Sequence, residues 1–411
     1  MKHRAAILSQ GDEVLTGQTV DSNAAWLSER LTDLGFDMVL HLTVGDRQGD
    51  IEGAMRQAHD VAELVIGTGG LGPTQDDLTA ASAAGVLGCE LAFDGQALAN
   101  IKNIYAWLGT PMPDSNEKQA WLPSSATPLY NAWGTAPGFH MDHGRGVGFY
   151  LPGVPREMRS FWKHLVRPAL VERFELRPGR LVTLRCLGVH ESKLAELCAP
   201  FEAIDGFVLG FRTNLPENQV KLRVSPNVPS ARVDEVVAEL RAVIGKPVFG
   251  VDCGSIQEVL VQELVRRRET LATAESCTGG QVSAAITSVP GSSAVFLEGS
   301  CIYSNEAKVR TCGVDPPTLA EHGAVSRAVA IQLAQGIRDR AGATYGLSTT
   351  GIAGPGGGTP DKPVGTVHIA CAHPGGVAHR KLALRGGRDR IQRLTVGSVL
   401  DMLRRHQQGF L

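Results

Sequence analysis

No apolar run in this sequence approaches the ~20 residues that a membrane-spanning helix needs, so no transmembrane helix is expected. The start, Met1-Lys2-His3-Arg4, has the charge of a signal peptide. The apolar stretch Ala5–Leu8 is too short to follow it as one, and polar Gln10-Gly11-Asp12-Glu13 comes next. There is no C-x-x-C pair. The cysteines (Cys89, Cys186, Cys198, Cys253, Cys277, Cys301, Cys312, Cys371) are scattered, which argues against a disulfide framework or a zinc site and for a reduced, cytoplasmic protein. Neither sign of charge dominates: Lys and Arg total 40 against 42 Asp and Glu. The strongly basic balance of a nucleic-acid binder is missing. Internal repeats and low-complexity tracts are also absent.

What is present is an ordinary globular composition, 43% hydrophobic and 20% charged over 411 residues. At roughly 100–200 residues per domain, two or three domains are expected. Short β-branched and aliphatic runs alternate with helical patterns, the mark of α/β layers with mainly parallel sheets. Ala5–Ser9 reads as a strand. A helix follows from about Asp21 to Leu34, capped by Asp21 or Ser22, with Ala25, Leu27, Leu31 and Leu34 as its buried stripe. Strand Met38–Val44, helix Asp50–Ala62 and strand Leu64–Gly67 come next. The first block ends near Pro168–Pro178. Strand Leu181–Leu187, helix Glu191–Cys198, strand Gln219–Val224 and helix Ser230–Ile244 form a small α+β module. Gly245–Gly254 reads as a linker on its Gly and Pro content. A second α/β block begins at Ser255.

In that last block, strand Leu271–Ala274 runs into Glu275-Ser276-Cys277-Thr278-Gly279-Gly280, and a helix starts at Gln281. A serine at such a turn is exposed, and the free N–H groups of the new helix can receive an oxyanion or a phosphate. Ser276 is the candidate nucleophile; Cys277 is an alternative, or a small buried thiol. A serine hydroxyl needs a base, and no histidine presents itself. Lys308 lies just over a turn into the helix that follows strand Val295–Tyr303 and cap Ser304. Consecutive strands of such a sheet often lie side by side, so Lys308 is placed to face Ser276. To act as a base it must be neutral, through burial or a nearby positive charge. Tyr303 would relay a proton or position the substrate. Two more loops carry small residues: Gly291-Ser292-Ser293, and Thr349 to Gly358 after strand Tyr345–Ser348, at the carboxyl end of a strand. Arg385, Arg388 and Arg390 either add positive charge for a phosphate or form a solvated basic face.

In the first block, glycine loops are rich in carboxylates. Glu13 follows the first strand, Asp76 and Asp77 follow G-T-G-G-L-G-P-T, and Glu157 follows strand Val147–Leu151. Backbone N–H groups of Gly69, Gly70 and Gly72, with Thr74, suit phosphates, and hard carboxylates suit a Mg²⁺-like ion on them. Taken singly, each acid also reads as a charge at a helix N-terminus.

The motifs E-S-C-T-G-G, P-G-S-S, Y-S-N-E-A-K, G-A-V-S and T-G-I-A-G-P-G-G-G-T-P-D-K-P-V-G-T-V resemble, in order and spacing, the C-terminal domain of the CinA family, over about Ile256–Leu403. That resemblance implies deamidation of nicotinamide mononucleotide to the nicotinate form and ammonia, without a metal. Ser276, Tyr303, Lys308 and Thr350 would be catalytic, and Thr278, Gly279, Gly280, Ser292, Ser293, Gly351 and Gly354 would bind substrate. G-D-E-V-L-T-G with D-S-N, G-G-L-G-P-T-Q-D-D-L-T and L-P-G-V-P-R-E-M resemble the family's N-terminal domain, a relative of molybdopterin-binding domains. This implies hydrolysis of ADP-ribose to AMP and ribose 5-phosphate with a divalent metal (Mg, Mn or Co) on Glu13, Asp76, Asp77 and Glu157. Gln10 stands where the family more often has a hydrophobic residue, and Arg327 where acidic residues are common; both departures leave the acids and the serine in place.

The resemblance further implies two three-layer αβα domains (1–170 and 255–411) joined through a KH-like module (178–250), and a homodimer. The module lacks a G-X-X-G loop between basic residues, so nucleic acid is not an expected partner. The expectation is a pyridine-nucleotide salvage hydrolase. Two alternatives are an interaction protein of competence or DNA damage with regulatory nucleotide sites, and a molybdopterin-binding protein.

Overall fold

The structure is a computed structural model and describes residues 3–176 and 179–410. Met1 and Lys2 of the signal-like start, the Pro178 boundary and the terminal Leu411 lie outside the described residues. The chain forms two compact units, Met1–Arg180 and Leu181–Leu411.

The first unit is built on a six-stranded sheet in the order Asp37–Val44, Arg4–Gln10, Leu64–Thr68, Gly146–Leu151, Gly138–His143, Thr127–Leu129. The first four strands are parallel; the last two add an antiparallel edge that the sequence reading did not include. Alternation along the strands sorts side chains to two faces. Ala5, Ile7, Leu64, Ile66, Val147 and Phe149 pack beneath helix Ser22–Leu34 and the helical run 155–173. Leu8 and Tyr150 meet Ile51 and Met55 of helix Gln48–Val61 on the opposite face. Asp21 is the cap of Ser22–Leu34: its carboxylate accepts the Ala24 N–H at 2.8 Å.

The second unit contains two sheets. The small one has the order Phe207–Asn214, Glu217–Val224, Arg180–Leu187, Val248–Val251, with helices Glu191–Cys198 and Ser230–Ile244 covering one face. Gly245–Gly254 is therefore not a plain linker. Val248–Val251 pairs antiparallel with Arg180–Leu187, and Val248 and Phe249 are buried. The apolar pair outweighs the flanking Gly and Pro, which only bound a short strand.

The larger sheet has the order Phe296–Cys301, Leu271–Glu275, Tyr345–Gly351, Thr366–His373, Gly376–Ala383. The first three strands are parallel and the last two antiparallel, so this sheet is mixed. Leu271, Leu347, Val367 and Ile369 face helices Ile256–Arg267 and Arg388–Gln407. Ala272 and Ala274 face Val329 and Leu333 of helix Arg327–Ala341. Each sheet in this pair of αβα layers thus carries helices on both faces. No helix among the described residues is long and apolar enough to cross a membrane.

Candidate functional site

In the larger sheet, register decides which loops meet. Glu275 is level with Cys301 on one side and with Thr349 on the other. The segments starting at Ser276 and Ile302 therefore leave the sheet together beside Thr350 and Gly351, which continue their strand two residues further, paired with His368 and Val367. Ser276, Tyr303, Lys308, Thr350, Gly351 and Gly354 all belong to these segments. Ser292 and Ser293 do not. The short 3-10 turn Ser292–Ala294 precedes strand Phe296–Cys301, and Leu271 N–H bonds to Val295 at the opposite, amino end of the sheet. At ~3.3 Å per residue, the length of a strand separates them from Ser276. The Ser-Ser pair forms a tight turn at the end of the sheet away from Ser276 and is not part of the site around that serine.

The loop after Leu271–Glu275 is shaped by Glu275 itself, a residue with 1% exposure. Its carboxylate accepts the N–H of Gly280 at 3.0 Å, of Val282 at 3.0 Å and of Ser283 at 2.7 Å, and the hydroxyls of Thr278 and Ser283, each at 2.7 Å. The helix-start amides expected to receive substrate are thus occupied by the chain's own acid. An acid placed at a helix N-terminus is favoured by the dipole and the unpaired N–H groups. Thr278 is fully buried, and its hydroxyl also meets that of Thr349 at 2.7 Å.

Two donors stay open. Ser276 N–H bonds to Thr349 O at 2.9 Å and Gly279 N–H to Ser276 O at 3.2 Å, but among the described residues the N–H groups of Cys277 and Thr278 meet no oxygen acceptor. They follow the serine directly, which is where an oxyanion formed at its hydroxyl would need donors. The Cys277 thiol is 5% exposed, and burial pushes it up to about 12. This suits a packed thiol and not a thiolate nucleophile.

Lys308 is 1% exposed. Its Nζ donates to the carbonyls of Ile302 and Tyr303, both at 3.0 Å, and of Ser304 at 3.4 Å. Burial holds its pKa below the ordinary lysine value, while Cys277 acts in the other direction. Among the described residues no hydrogen bond joins Nζ to Ser276. Tyr303, 63% exposed, receives Arg388 Nη2 on its hydroxyl at 3.2 Å, and Arg388 Nη1 donates to Gly354 O at 3.0 Å. One turn along the same helix, Gln392 Nε2 donates to Cys277 O at 2.8 Å. The C-terminal helix thus ties the serine loop, Tyr303 and the glycine loop together. Arg388 is part of this site. Thr350 turns away from the serine loop and donates to Ala324 O at 2.7 Å, whereas its neighbour Thr349 reaches Thr278.

In the first unit, one cavity of about 640 Å³ is lined by Glu13, Gly69, Gly70, Gly72, Thr74, Asp76, Asp77 and Glu157, every residue singled out there. Gly69 and Gly70 have φ of +101° and +65°. A Cβ on either would come within 2.2 Å of Gln10, so only glycine lets this loop lie on the first strand. The N–H groups of Gly70, Leu71 and Gly72 have no acceptor among the described residues and form a row suited to an anion. Gln10 is buried beneath the loop, bonded to Thr79 and, at 3.1 Å, to Asp46. Asp77 accepts the Thr74 N–H at 2.8 Å and hydroxyl at 2.6 Å, so part of it shapes the loop. Glu157 is held by Asn131 Nδ2 at 2.6 Å.

Among the described residues no three His, Cys, Asp or Glu side chains are close enough to cage an ion. The carboxylates do fit an ion of the Mg²⁺ type, which takes one or two carboxylates and completes its shell with water and substrate phosphate. Glu275, Thr349, Gln392 and Asn131 went unassigned in the sequence. Only Glu275 left a signal, an acid at a strand end just before a Gly-Gly helix start.

With this geometry in view, the chain matches the CinA C-terminal domain over residues 254–407 and the probable molybdopterin binding domain over residues 6–172. A CinA-like protein of Anaeromyxobacter sp. (strain Fw109-5) is 42% identical over 402 residues, covering 97% of this chain and 98% of the relative. A putative competence-damage inducible protein of Caldanaerobacter subterraneus is 39% identical, covering 99% of both chains. Among solved structures, the CinA protein of Thermoplasma acidophilum is 37% identical, with a TM-score of 0.38, over 41% of this chain and 98% of its own.

Proposed function

The chain belongs to the CinA family, and from that premise we propose that it is a cytoplasmic pyridine-nucleotide hydrolase whose C-terminal block deamidates nicotinamide mononucleotide. The observation that carries the reading is the strand register that brings the Ser276, Tyr303 and Thr350 segments to one end of the sheet, with the Cys277 and Thr278 N–H groups lacking an oxygen acceptor beside the serine among the described residues. Ser276 Oγ attacks the carboxamide carbon. The oxyanion takes the Cys277 and Thr278 N–H groups as the loop admits substrate, ammonia leaves carrying the proton that Lys308 took from the serine, and water, giving one proton back to the serine oxygen, releases the acyl group as the acid. Lys308 is the base. Burial favours its neutral form, and it takes the serine proton by giving up one of its carbonyls. Arg388, with Tyr303 and the Gly354 loop, offers charge and donors to the 5′-phosphate.

The cavity of the first unit supports hydrolysis of ADP-ribose to AMP and ribose 5-phosphate. The Gly70–Gly72 amides would cradle one phosphate, and one or two carboxylates of the set Glu13, Asp76, Asp77 and Glu157 would hold Mg²⁺, Mn²⁺ or Co²⁺. When bound, such an ion neutralises phosphate charge and activates water. The match to the molybdopterin binding domain favours a second reading, in which the same cavity holds a pterin.

The test incubates purified protein with nicotinamide mononucleotide and measures ammonia. Release is expected, with Ser276→Ala inactive; wild type without release overturns the reading. ADP-ribose turnover with and without divalent metal, in wild type and Asp77→Ala, tests the first unit. Copurified pterin without turnover would support the second reading.

A further inference from the structure

The second unit contains a cavity that no step above uses. It has a volume of about 280 Å³ and lies between the hairpin tip Asn214–Glu217 of the small module and helices Gln281–Thr287 and Arg388–Gln407. Its floor is apolar: Leu215, Pro216, Ile256, Val396 and Leu400. Its polar lining holds the Ser255 hydroxyl, the Glu217 carboxylate, two arginines and the side-chain amides of Asn214, Gln257 and Gln281, each of which both donates and accepts. The two lining cations are already matched. Arg185 Nη2 lies 2.9 Å from Glu217, and Arg393 Nε lies 3.0 Å from Asp389. The lining therefore suits a neutral molecule. The volume sits just under the usual range for ligand pockets, enough for one ring system and too little for a dinucleotide.

The wall is tied to the catalytic loop by hydrogen bonds from two helices. Gln281 lines the cavity, and its Nε2 donates to Gln392 Oε1 at 3.2 Å; Gln392 in turn donates to the carbonyl of Cys277, the residue after the serine. Helix Arg388–Gln407 presents Arg388 and Gln392 to the site and, from its next turns, Val396 and Leu400 to the cavity. The hairpin tip is seated closely on that helix: a Cβ at Gly397 would come within 2.5 Å of Pro216. A molecule wedged here would push on groups that position Ser276.

We propose that this seam is an effector site for a small neutral aromatic ring bearing an amide-type donor and acceptor, and that its occupancy is passed to the Ser276 loop through Gln281 and Gln392. The ring packs on Pro216, Val396 and Leu400, and its donor and acceptor face the side-chain amides. The effector idea rests on the Ser276 loop being the catalytic loop, so the test reads binding and loop protection without turnover. Nicotinamide and adenine supply this chemistry from two sources. Each is titrated calorimetrically into the full chain, with hydrogen exchange followed at residues 276–280. One saturable site is expected for at least one of them, together with a change of threefold or more in the exchange rate of that loop. Val396→Trp, which fills the cavity, should abolish the binding and, with it, the ligand-dependent change in exchange. Gln392→Ala should retain binding and lose the loop response. Failure of both probes to bind at 10 mM, or binding that Val396→Trp leaves intact, overturns the site. Binding with an unchanged loop overturns the coupling. Loss of ammonia release from wild type alone would instead overturn the deamidase reading.

Discussion

The Glu275 carboxylate and the main-chain N–H of Ser283 lie 2.7 Å apart across the serine loop. That bond is one of several by which a buried acid, not substrate, occupies the helix start. Glu275→Gln replaces one oxygen with an NH₂ group facing donors, including the Gly280 and Val282 N–H groups at Oε2. A buried donor left without a partner costs about 1–3 kcal/mol. Thermal unfolding of the second unit should therefore shift down by several degrees. Ammonia release should fall more than tenfold, because the loop that carries Ser276 loses its anchor. A variant with unchanged melting and activity would show that the carboxylate does not shape the site.

Arg388 reaches Tyr303 and Gly354 with two separate N–H groups. A charge-assisted hydrogen bond is worth about 1.5–3 kcal/mol, so Arg388→Ala should raise KM for the mononucleotide roughly 10–100-fold, with a smaller change in kcat. Arg388→Lys restores charge but cannot span both acceptors, and should fall between. Steady-state kinetics on substrate with and without its 5′-phosphate decides the role. If both substrates lose equally, Arg388 only braces the loops.

In the first unit His59 stacks on His143 at 4.2 Å and shares a 2.9 Å hydrogen bond with Tyr150. Burial, helped by His143, lowers its pKa to about 4. Between that value and the unfolded 6.5, the unfolded chain binds more protons, so stability falls as pH drops through the window. Full loss amounts to about 3 kcal/mol. All five tryptophans (Trp26, Trp107, Trp121, Trp133, Trp162) lie in this unit, so tryptophan fluorescence reports its unfolding alone. The urea midpoint should drop from pH 7 to pH 4.5, and His59→Gln, which cannot ionise but can still meet Tyr150, should reduce that slope. An equal slope in the variant would place the acid sensitivity elsewhere.

Much of this was legible before the structure. The aliphatic runs Ala5–Ser9 and Leu64–Gly67, set between helical patterns, marked strands of an α/β layer, and the glycine loop with its acids, read as a phosphate and metal site, lines one cavity. Ser276 and Tyr303 were placed at one sheet end by the simplest assumption, that consecutive strands neighbour each other, and the register agrees. What could not be read was direction and pairing. Ser292-Ser293 looks like a phosphate loop until one asks at which end of its strand it falls. Thr349 and Thr350 are adjacent in sequence but address opposite loops because strand side chains alternate. Burial of Lys308 was one of two routes to a neutral base that the sequence left open; the carbonyls that hold it could not be read, since they belong to a turn with no side-chain signature.

Asp401 and Arg404, at 4% and 2% side-chain exposure, form a buried pair on the C-terminal helix, with Arg404 Nη2 and Asp401 Oδ1 2.6 Å apart. Arg404 also donates to Lys246 O at 2.8 Å and Val248 O at 3.4 Å, and Arg405 lies 2.7 Å from the other Asp401 oxygen. The pair thus links the helix that carries Arg388 and Gln392 to the strand Val248–Val251 of the small module. Removing one member leaves a buried charge uncompensated, at a cost of about 3–5 kcal/mol, whereas replacing both with apolar groups is often near neutral. Asp401→Ala should therefore lower the melting of the second unit markedly, while Asp401→Leu combined with Arg404→Met should recover much of the loss. Far-UV circular dichroism separates this transition from that of the first unit, which tryptophan fluorescence follows independently. The double variant also separates two roles. If it melts near wild type but deamidates more slowly, the ion pair fixes the pitch of the helix at the active site; if both properties return, it serves only to hold the module in place.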